Sequence, residues 1–545
     1  EFNDVVILFS GAVYNRVELN NMVGSGPQLP VPSLVARLFA RSGPQFVKDL
    51  NGDFAICICQ PRKKRVFLFR DHVGIRPMAY SAEGESLCFS TDITGLCRAV
   101  SGGMDIDTVY LTGHFRYIDY RKTPSAKVRK LSPGHWLEFS EAGIKTVRYW
   151  EPEKMKPDRR MTYGRMIEAL GTIVRDAIQI RCDSRFTAGA HVSGGLDSGY
   201  VSLLTRKEYR QQERFFGFSW SPFDYLPRNI CHDERELVAG SCDEAGITPV
   251  LSDMDAQSFP GAVVDYYKNH GYFSEYCTAV QAAARGVNLI FSGWGGDEFI
   301  STSAPAMEWD LLRSLKIGLY LKRNQFKRPK RFIKNLVHYV LFPVFGILDR
   351  ATARSFCDDA RYLKREFRNS DRRAIRQFYF HTSRHGHHLG MLDFYHLQER
   401  CESWYGMGFR MGIEYRYPLL DRRIIEFILR VPSVILCRTG QSRPVLRELG
   451  RDLLPEEVRL NSSKNDPVLW SFMDDLYREA SISFMEEVNQ WRKNSDLGFI
   501  DFDLLSGDIS RYRSGSPEVR EKVLFRALVY IKAIHEFTLR YHETV

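Results

Sequence analysis

The sequence predicts an α/β chain in two parts: an N-terminal, mostly β, layered domain, then a doubly wound parallel sheet with a helical C-terminal part. Two patterns carry that prediction. From Val5 to about Trp150 the apolar residues come in short strand-like runs separated by turn residues: VVILF, DFAICIC, RVFLF, SLCFS, HWLEF and IKTVRYW. Past position 163 the runs AGAHV, RFFGFSW and VNLIFSG are each separated by helix-length segments, and strands alternating with helices imply parallel pairing.

Taken in order, residues 1–150 form the first domain, and residues 151–162, EPEKMKPDRRMT, are charged and proline-bearing without an apolar period, which is how a linker reads. The second domain runs over residues 163–545, opening with helical periodicity from Met166 to Arg181. From about Trp309 to Glu399 it is helix-rich and basic, and beyond Pro418 no strand alternation returns. With 44% apolar and 26% charged residues, the 545-residue chain has the composition of an ordinary globular protein, which excludes wholesale disorder and rod-like repeats. A net charge of +10 favours an anionic ligand or peptide but is too dilute to imply nucleic acid.

Eleven cysteines, odd in number and without recurrent spacing, predict free thiols in a reducing cytoplasm. Cys57 and Cys59 alternate within FAICIC, where i and i+2 share one face of a strand, so they read as strand packing and not as a metal knuckle. No apolar stretch reaches the roughly 18 residues that cross a bilayer. The longest, Leu336 to Leu348, is interrupted by His338 and Pro343. The chain opens on a strand without a signal peptide's basic n-region, which suggests that its true N-terminus lies upstream.

The strongest chemical signal is Ser193-Gly194-Gly195-Leu196-Asp197-Ser198, between the strand AGAHV and the helical run GYVSLLTRK. Glycines let the backbone turn tightly at a helix N-terminus, where amide groups and the helix dipole attract a polyanion such as pyrophosphate. The Walker ending Gly-Lys-Ser/Thr is absent from this loop. A second glycine loop, Ser292-Gly293-Trp294-Gly295-Gly296-Asp297-Glu298, follows the strand VNLI. Loops at the carboxyl ends of neighbouring parallel strands meet where such sheets bind ligands, so Asp197 and Asp297 are expected to share Mg2+, with Gly295 and Gly296 beside the phosphates. The alternative for each aspartate is a helix N-cap.

These motifs resemble the asparagine synthetase family, which joins a glutamine amidotransferase domain to an ATP-pyrophosphatase synthetase domain. The resemblance rests on SGGLDS, SGWGGDE, EYRYPLLD from Glu414, and the Gly440–Lys464 stretch with RPVLRELGRDLLPEEVRLNSSK. In the first half, GAVYNRVEL, LNGDFAI, RDHVGIRPMAYS and RKLSPGHWL resemble the amidotransferase domain, which implies a layered β-sandwich of antiparallel sheets for residues 1–150. The resemblance implies ATP, with Phe218 and Ser219 bordering the adenine and Lys464 as the catalytic lysine.

The departures from the family pattern are as informative. Ser10 stands where glutamine users carry the Asn of an oxyanion-forming Asn-Gly pair, and Val31 where they carry an aspartate for the α-ammonium. The family's cysteine nucleophile falls upstream of this sequence. The first half therefore reads as a glutaminase that has lost its function. Trp294 replaces the glutamate of ammonia-using synthetases, and an indole cannot accept a proton. The beta-lactam synthetases and lasso peptide cyclases adenylate a carboxylate but take the amine from the substrate, and the chain resembles these more.

The resulting expectation is a lasso cyclase-like synthetase that closes a macrolactam between a peptide's N-terminal amine and a side-chain carboxylate. Its partners would be a precursor peptide and, within one pathway, a leader-binding protein and a protease. Glu402 is the candidate base, with a helix-surface salt bridge as the alternative. His381, His385, His387 and His388 could form a metal site, but with no carboxylates nearby in sequence they read rather as solvated or packing histidines. The basic run from Lys322 to Lys334 reads as a peptide-docking patch or a solvated helix face. An ammonia-using ligase and a silent nucleotide-binding scaffold stay open as alternatives.

Overall fold

The computed structural model describes residues 5–24, 29–102, 105–113, 115, 119, 121–227, 230, 232–269, 273–301, 306–324, 326–347, 360–368, 381–393, 395–436, 442–461, 463 and 466–543. Its N-terminal half contains β1 (Val6–Val13), β2 (Gly52–Gln60), β3 (Arg65–Arg70), β4 (Ala79–Glu83), β5 (Ser86–Ser90), β6 (Arg129–Lys130), β7 (His135–Ser140) and β8 (Gly143–Arg148). They form two antiparallel sheets, ordered β1-β2-β3-β7-β8 and β5-β4-β6. The layers are those that the short runs predict, and the sandwich is the one that the resemblance implies.

Strand β2 shows how the sequence builds the layers. Successive side chains on a strand point to opposite faces, so Ala55 and Cys57 enter a small core between the sheets with Leu68, Met78 and Leu137. Phe54, Ile56 and Ile58 enter another, at about 2 kcal/mol for each fully buried side chain. That second core continues into the other half of the molecule, through Phe218, Ile290 and Trp404. The two halves thus share one apolar cluster.

The C-terminal half is organised by β9 (Ala188–His191), β10 (Phe215–Pro222), β11 (Ile247–Ser252), β12 (Leu289–Phe291) and β13 (Glu414–Arg416), ordered β11-β10-β9-β12-β13. The pairings are parallel. Because β9 has β10 on one side and β12 on the other, the chain changes direction across the sheet between β9 and β12. The crevice at such a switch point lies at the strands' carboxyl ends. Both glycine loops emerge there. Two strands of this sheet escaped the sequence reading, as did the short β4 and β6 of the first half: β11 carries Pro249 at the sheet edge, and β13 has three residues, too few to show a period. The helices Pro467–Trp491 and Glu521–His542 bury Phe484, Trp491, Leu528 and Ile534 in a separate core, which gives the helical C-terminal part. Among the described residues no helix is long and apolar enough to cross a membrane.

Candidate active site

At the end of β9, Val192 donates its amide to the Phe218 carbonyl at 2.8 Å, and the chain then turns through the first glycine loop. Two serines brace this turn. Ser193 Oγ lies 2.7 Å from Ser198 Oγ, the Ser193 amide donates to Ser198 Oγ at 3.1 Å, and the Gly195 amide donates to Ser193 Oγ at 3.2 Å. Gly195 then caps the helix Leu196–Glu208, with Asp197 in its first turn. Leu196 is buried in the core and Phe218 is fully buried as well, so neither presents a side chain to a ligand and only their backbones border the crevice. Ser219 is buried on the same strand.

The second loop lies against the first because it carries glycines. A Cβ on Gly293 would sit 2.6 Å from the Asp197 carbonyl carbon, and one on Gly296 would sit 2.0 Å from Asp197 Oδ1. Gly295 adopts φ +93°, a left-handed conformation that favours glycine. The approach brings both carboxylates to Ser301, whose hydroxyl donates to Asp197 Oδ1 at 2.7 Å and lies 3.4 Å from Asp297 Oδ1.

Arg443, which the sequence reading passed over, bridges the same pair. Its Nη2 donates to Asp297 Oδ2 at 2.6 Å and its Nη1 lies 3.5 Å from Asp197 Oδ2. Asn461, from the same stretch of chain, donates to the Gly194 carbonyl at 3.3 Å. The stretch ending at Lys464 therefore folds back over the first loop, although Lys464 itself falls outside the described residues. Glu298, also missed, is buried next to Asp297, and desolvation together with that like charge pushes its carboxyl up to about 7. Both were visible inside quoted motifs. What was lacking was a local signal that they face the crevice.

Two convergent carboxylates with a hydroxyl suit Mg2+, which takes one or two protein carboxylates and completes its shell with water and substrate phosphates. Asp197, Asp297 and Ser301 would hold it. Beside them stands a wall of aromatic rings, of which Trp404, Tyr415 and Tyr417 are buried in the shared core. Trp294 packs 6.2 Å from Trp404, which stacks on Tyr417 at 5.7 Å and on Tyr415 at 5.6 Å. The Arg400 guanidinium lies 4.7 Å over the Trp294 ring and pairs with Glu275, which also accepts the Trp404 indole N–H at 2.6 Å. His191, under the first loop, packs 4.9 Å from Trp404, and burial drives its pKa down to about 3.

A model of the glutamine amidotransferase domain matches residues 1–150, and one of asparagine synthase matches residues 169–524. The chain belongs to the asparagine synthase family. It is 26% identical over 50% of its length to a putative glutamine-hydrolysing asparagine synthetase 2 of Methanocaldococcus jannaschii, and covers 49% of that protein. It is 23% identical over 83% of its length to asparagine synthetase 3 of Bacillus subtilis, covering 74% of it, and 24% identical over 87% to asparagine synthetase B of Escherichia coli, covering 72%. A solved glutamine phosphoribosylpyrophosphate amidotransferase from B. subtilis overlaps 46% of each chain at 13% identity and a TM-score of 0.20, too low to inform the site.

Within this asparagine synthase family chain, Glu402 forms the salt bridge that was the alternative to its role as base. It lies on the helix Tyr395–Met411, where Arg70 Nη2 donates to its Oε1 at 2.8 Å and Lys130 Nζ pairs with its Oε2. Both cations come from the N-terminal half, and both carboxylate oxygens are engaged. Glu402 therefore ties the two halves together. In the amidotransferase half, Ser10 Oγ lies 3.4 Å from the Tyr405 hydroxyl, and Val31 packs on the shared core. Asp53 accepts from Tyr14 at 2.7 Å, with Arg181 lying 4.2 Å over that tyrosine ring. Of the four histidines, His388 is buried, accepts at its Nδ1 from Arg384 Nη1 at 3.1 Å, and packs 5.8 Å from Phe299 behind the second loop. It supports the loop.

Proposed function

We propose that the protein is an ATP-dependent, AMP-forming amide synthetase that activates a peptide side-chain carboxylate and closes a macrolactam with the peptide's N-terminal amine, as lasso peptide cyclases do. Trp294 carries this reading. It replaces, within an otherwise complete pair of phosphate loops, the glutamate that ammonia-using synthetases carry, and an indole cannot take over that proton-accepting role.

In the first step a substrate carboxylate oxygen attacks the α-phosphorus of ATP, forming the acyl-adenylate while the bond to pyrophosphate breaks. The backbone of Ser193–Ser198, with Gly295 and Gly296, cradles the departing phosphates, and Asp197, Asp297 and Ser301 would hold Mg2+, which would supply positive charge against the phosphates. Arg443 then passes its charge from the two aspartates to the phosphates. In the second step the amine attacks the acyl carbon, AMP leaves with the bonding electrons, and the amine's proton passes to solvent water. An α-amine's pKa of about 8 means that this proton is loosely held at neutral pH. Lys464 would stabilise the charge that develops on the carbonyl and phosphate oxygens.

On the same reading the first half has lost its glutaminase, and the partners are a precursor peptide, a leader-binding protein and a protease. The eight described cysteines are free thiols, which suits a reducing cytoplasm. The test is incubation with ATP, Mg2+ and a linear peptide carrying a free N-terminus and a downstream Asp or Glu. AMP, pyrophosphate and a product lighter by one water are expected. An N-acetylated peptide should give adenylation without ring closure. Asparagine formed from aspartate and ammonia would overturn the reading.

A further inference from the structure

The stretch Leu315–Ile347 plays no part in the site, yet its chemistry is one-sided. It holds eight Lys and Arg residues and no Asp or Glu. In the structure it forms the helices Ile317–Arg323 and Pro329–Leu336, the latter continued by the turns Val337–Leu341 and Phe342–Phe345. Tyr320 and Val340 anchor it to the synthetase half, and Phe332 packs between Tyr320 at 6.1 Å and Phe326 at 5.3 Å. Its outer side behaves differently.

Eight of the 22 large apolar side chains exposed among the described residues lie in these 33 positions, including Leu315 at 82%, Phe345 at 68%, and Phe326 and Ile333 at 58% each. Around them Lys322, Lys327, Arg328, Lys330, Arg331 and Lys334 are exposed. An apolar concentration of this kind costs solubility unless something covers it. The mixture specifies the cover. Nucleic acid would use the cations but not isolated aliphatic side chains, whereas a bilayer surface takes both: aliphatic and aromatic groups enter the acyl boundary and cations meet anionic headgroups. The helices are too short to span, so the fitting geometry lies flat on the surface.

We propose that Leu315–Ile347 docks the protein on a bilayer surface rich in anionic lipid. Charge complementarity sets the lipid class, and the exposed apolar side chains provide the insertion. The cytoplasmic leaflet, with its negative surface potential, is the matching location.

The test is co-sedimentation of the full chain with vesicles of phosphatidylglycerol and phosphatidylcholine, compared with vesicles of phosphatidylcholine alone. Binding to the anionic vesicles is expected, at least tenfold tighter than to the neutral ones and weakening with added salt. Lys327→Glu/Lys330→Glu/Arg331→Glu should lower it at least tenfold, while Lys63→Glu/Lys207→Glu/Lys493→Glu, the same charge change elsewhere, should not. Phe326→Ser/Phe345→Ser should weaken binding severalfold and leave its salt dependence intact. Circular dichroism and ATP turnover confirm that each variant is folded. Absence of vesicle binding, equal loss in both charge-reversal variants, undiminished binding of the Phe326/Phe345 variant, or capture of an acidic peptide without vesicles would each overturn the proposal.

Discussion

The two halves of the molecule use buried charge in opposite ways. In the amidotransferase half, polar groups facing the other half are closed on one another: Asp53 with Tyr14, Arg70 with Glu402, and Ser10 near Tyr405. In the synthetase half, Asp197 and Asp297 converge on one hydroxyl and one guanidinium at the rim of a crevice, where a phosphate chain can replace the arginine's partners. On the proposed reading, the difference separates a motif kept for architecture from one kept for chemistry. In the first, these polar groups are paired within the protein. In the second, the partners are exchangeable.

Two glycines put the comparison to its strongest test. Gly11, beside Ser10, has φ +120°, and a Cβ there would lie 1.9 Å from the Asp53 carbonyl oxygen; at Gly296 the clash is with Asp197 Oδ1, at 2.0 Å. Gly296→Ala should lower AMP formation by about three orders of magnitude or more, about 4 kcal/mol at 1.36 per tenfold, with the melting temperature little changed. Gly11→Ala should instead destabilise the fold by roughly 1–3 kcal/mol, because it meets rigid backbone in a left-handed conformation. Thermal unfolding and turnover measured on both variants check the contrast. A Gly11→Ala variant that folds normally would mean that the first half tolerates remodelling.

Glu402 sharpens the same division. Glu402→Gln leaves Arg70, fully buried, facing a neutral amide, and breaking a buried pair costs about 3 kcal/mol. The expected result is a lower unfolding midpoint in urea with near-normal ring closure once folded. Normal stability with adenylation but no amide release would restore Glu402 as the base.

Lys464→Ala should lower product formation by about two orders of magnitude, about 2.7 kcal/mol, and leave nucleotide affinity within a few fold. Isothermal titration and steady-state kinetics separate the two effects. An unchanged rate would leave Lys464 a solvated loop residue.

What the sequence made legible follows from distance along the chain. β2 was readable because Phe54, Ala55, Ile56 and Cys57 alternate within a few residues, and the meeting of Asp197 with Asp297 because strand-end loops obey a topological rule. Arg443 and Glu402 were not. Their partners lie 146 and 332 residues away, so no local period or spacing reports which face of the fold they occupy. The Trp404 wall is hidden for the same reason: its rings come from β13, the second glycine loop and the helix Tyr395–Met411.

His191 adds a pH dependence to the synthetase side. Its folded pKa, about 3, lies below its ordinary 6.5, so the unfolded chain binds the extra proton. Its contribution is complete above pH 6.5 and is lost as pH falls towards 3, by about 1 kcal/mol between pH 6.5 and 5.5. Urea unfolding across that range should show the decline, and His191→Phe should flatten it. A decline that persists unchanged in the variant would place the titrating group elsewhere.

The smallest expected effect is on the amidotransferase side. Ser10 offers one hydroxyl, already 3.4 Å from Tyr405, and Val31 offers a hydrocarbon that cannot hold an α-ammonium, so a glutamine reaching this half meets neither an oxyanion partner nor an anchor for its amine. The full chain given labelled glutamine should release no glutamate above background, and Ser10→Ala should change neither that result nor the rate of ring closure. Because Ser10 Oγ and the Tyr405 hydroxyl are both polar and partly buried, the substitution exchanges one weak hydrogen bond for a methyl group, a cost of about 1 kcal/mol or less in stability. Measurable glutaminase activity, lost on Ser10→Ala, would show that this half still supplies nitrogen and would remove the contrast between the two halves.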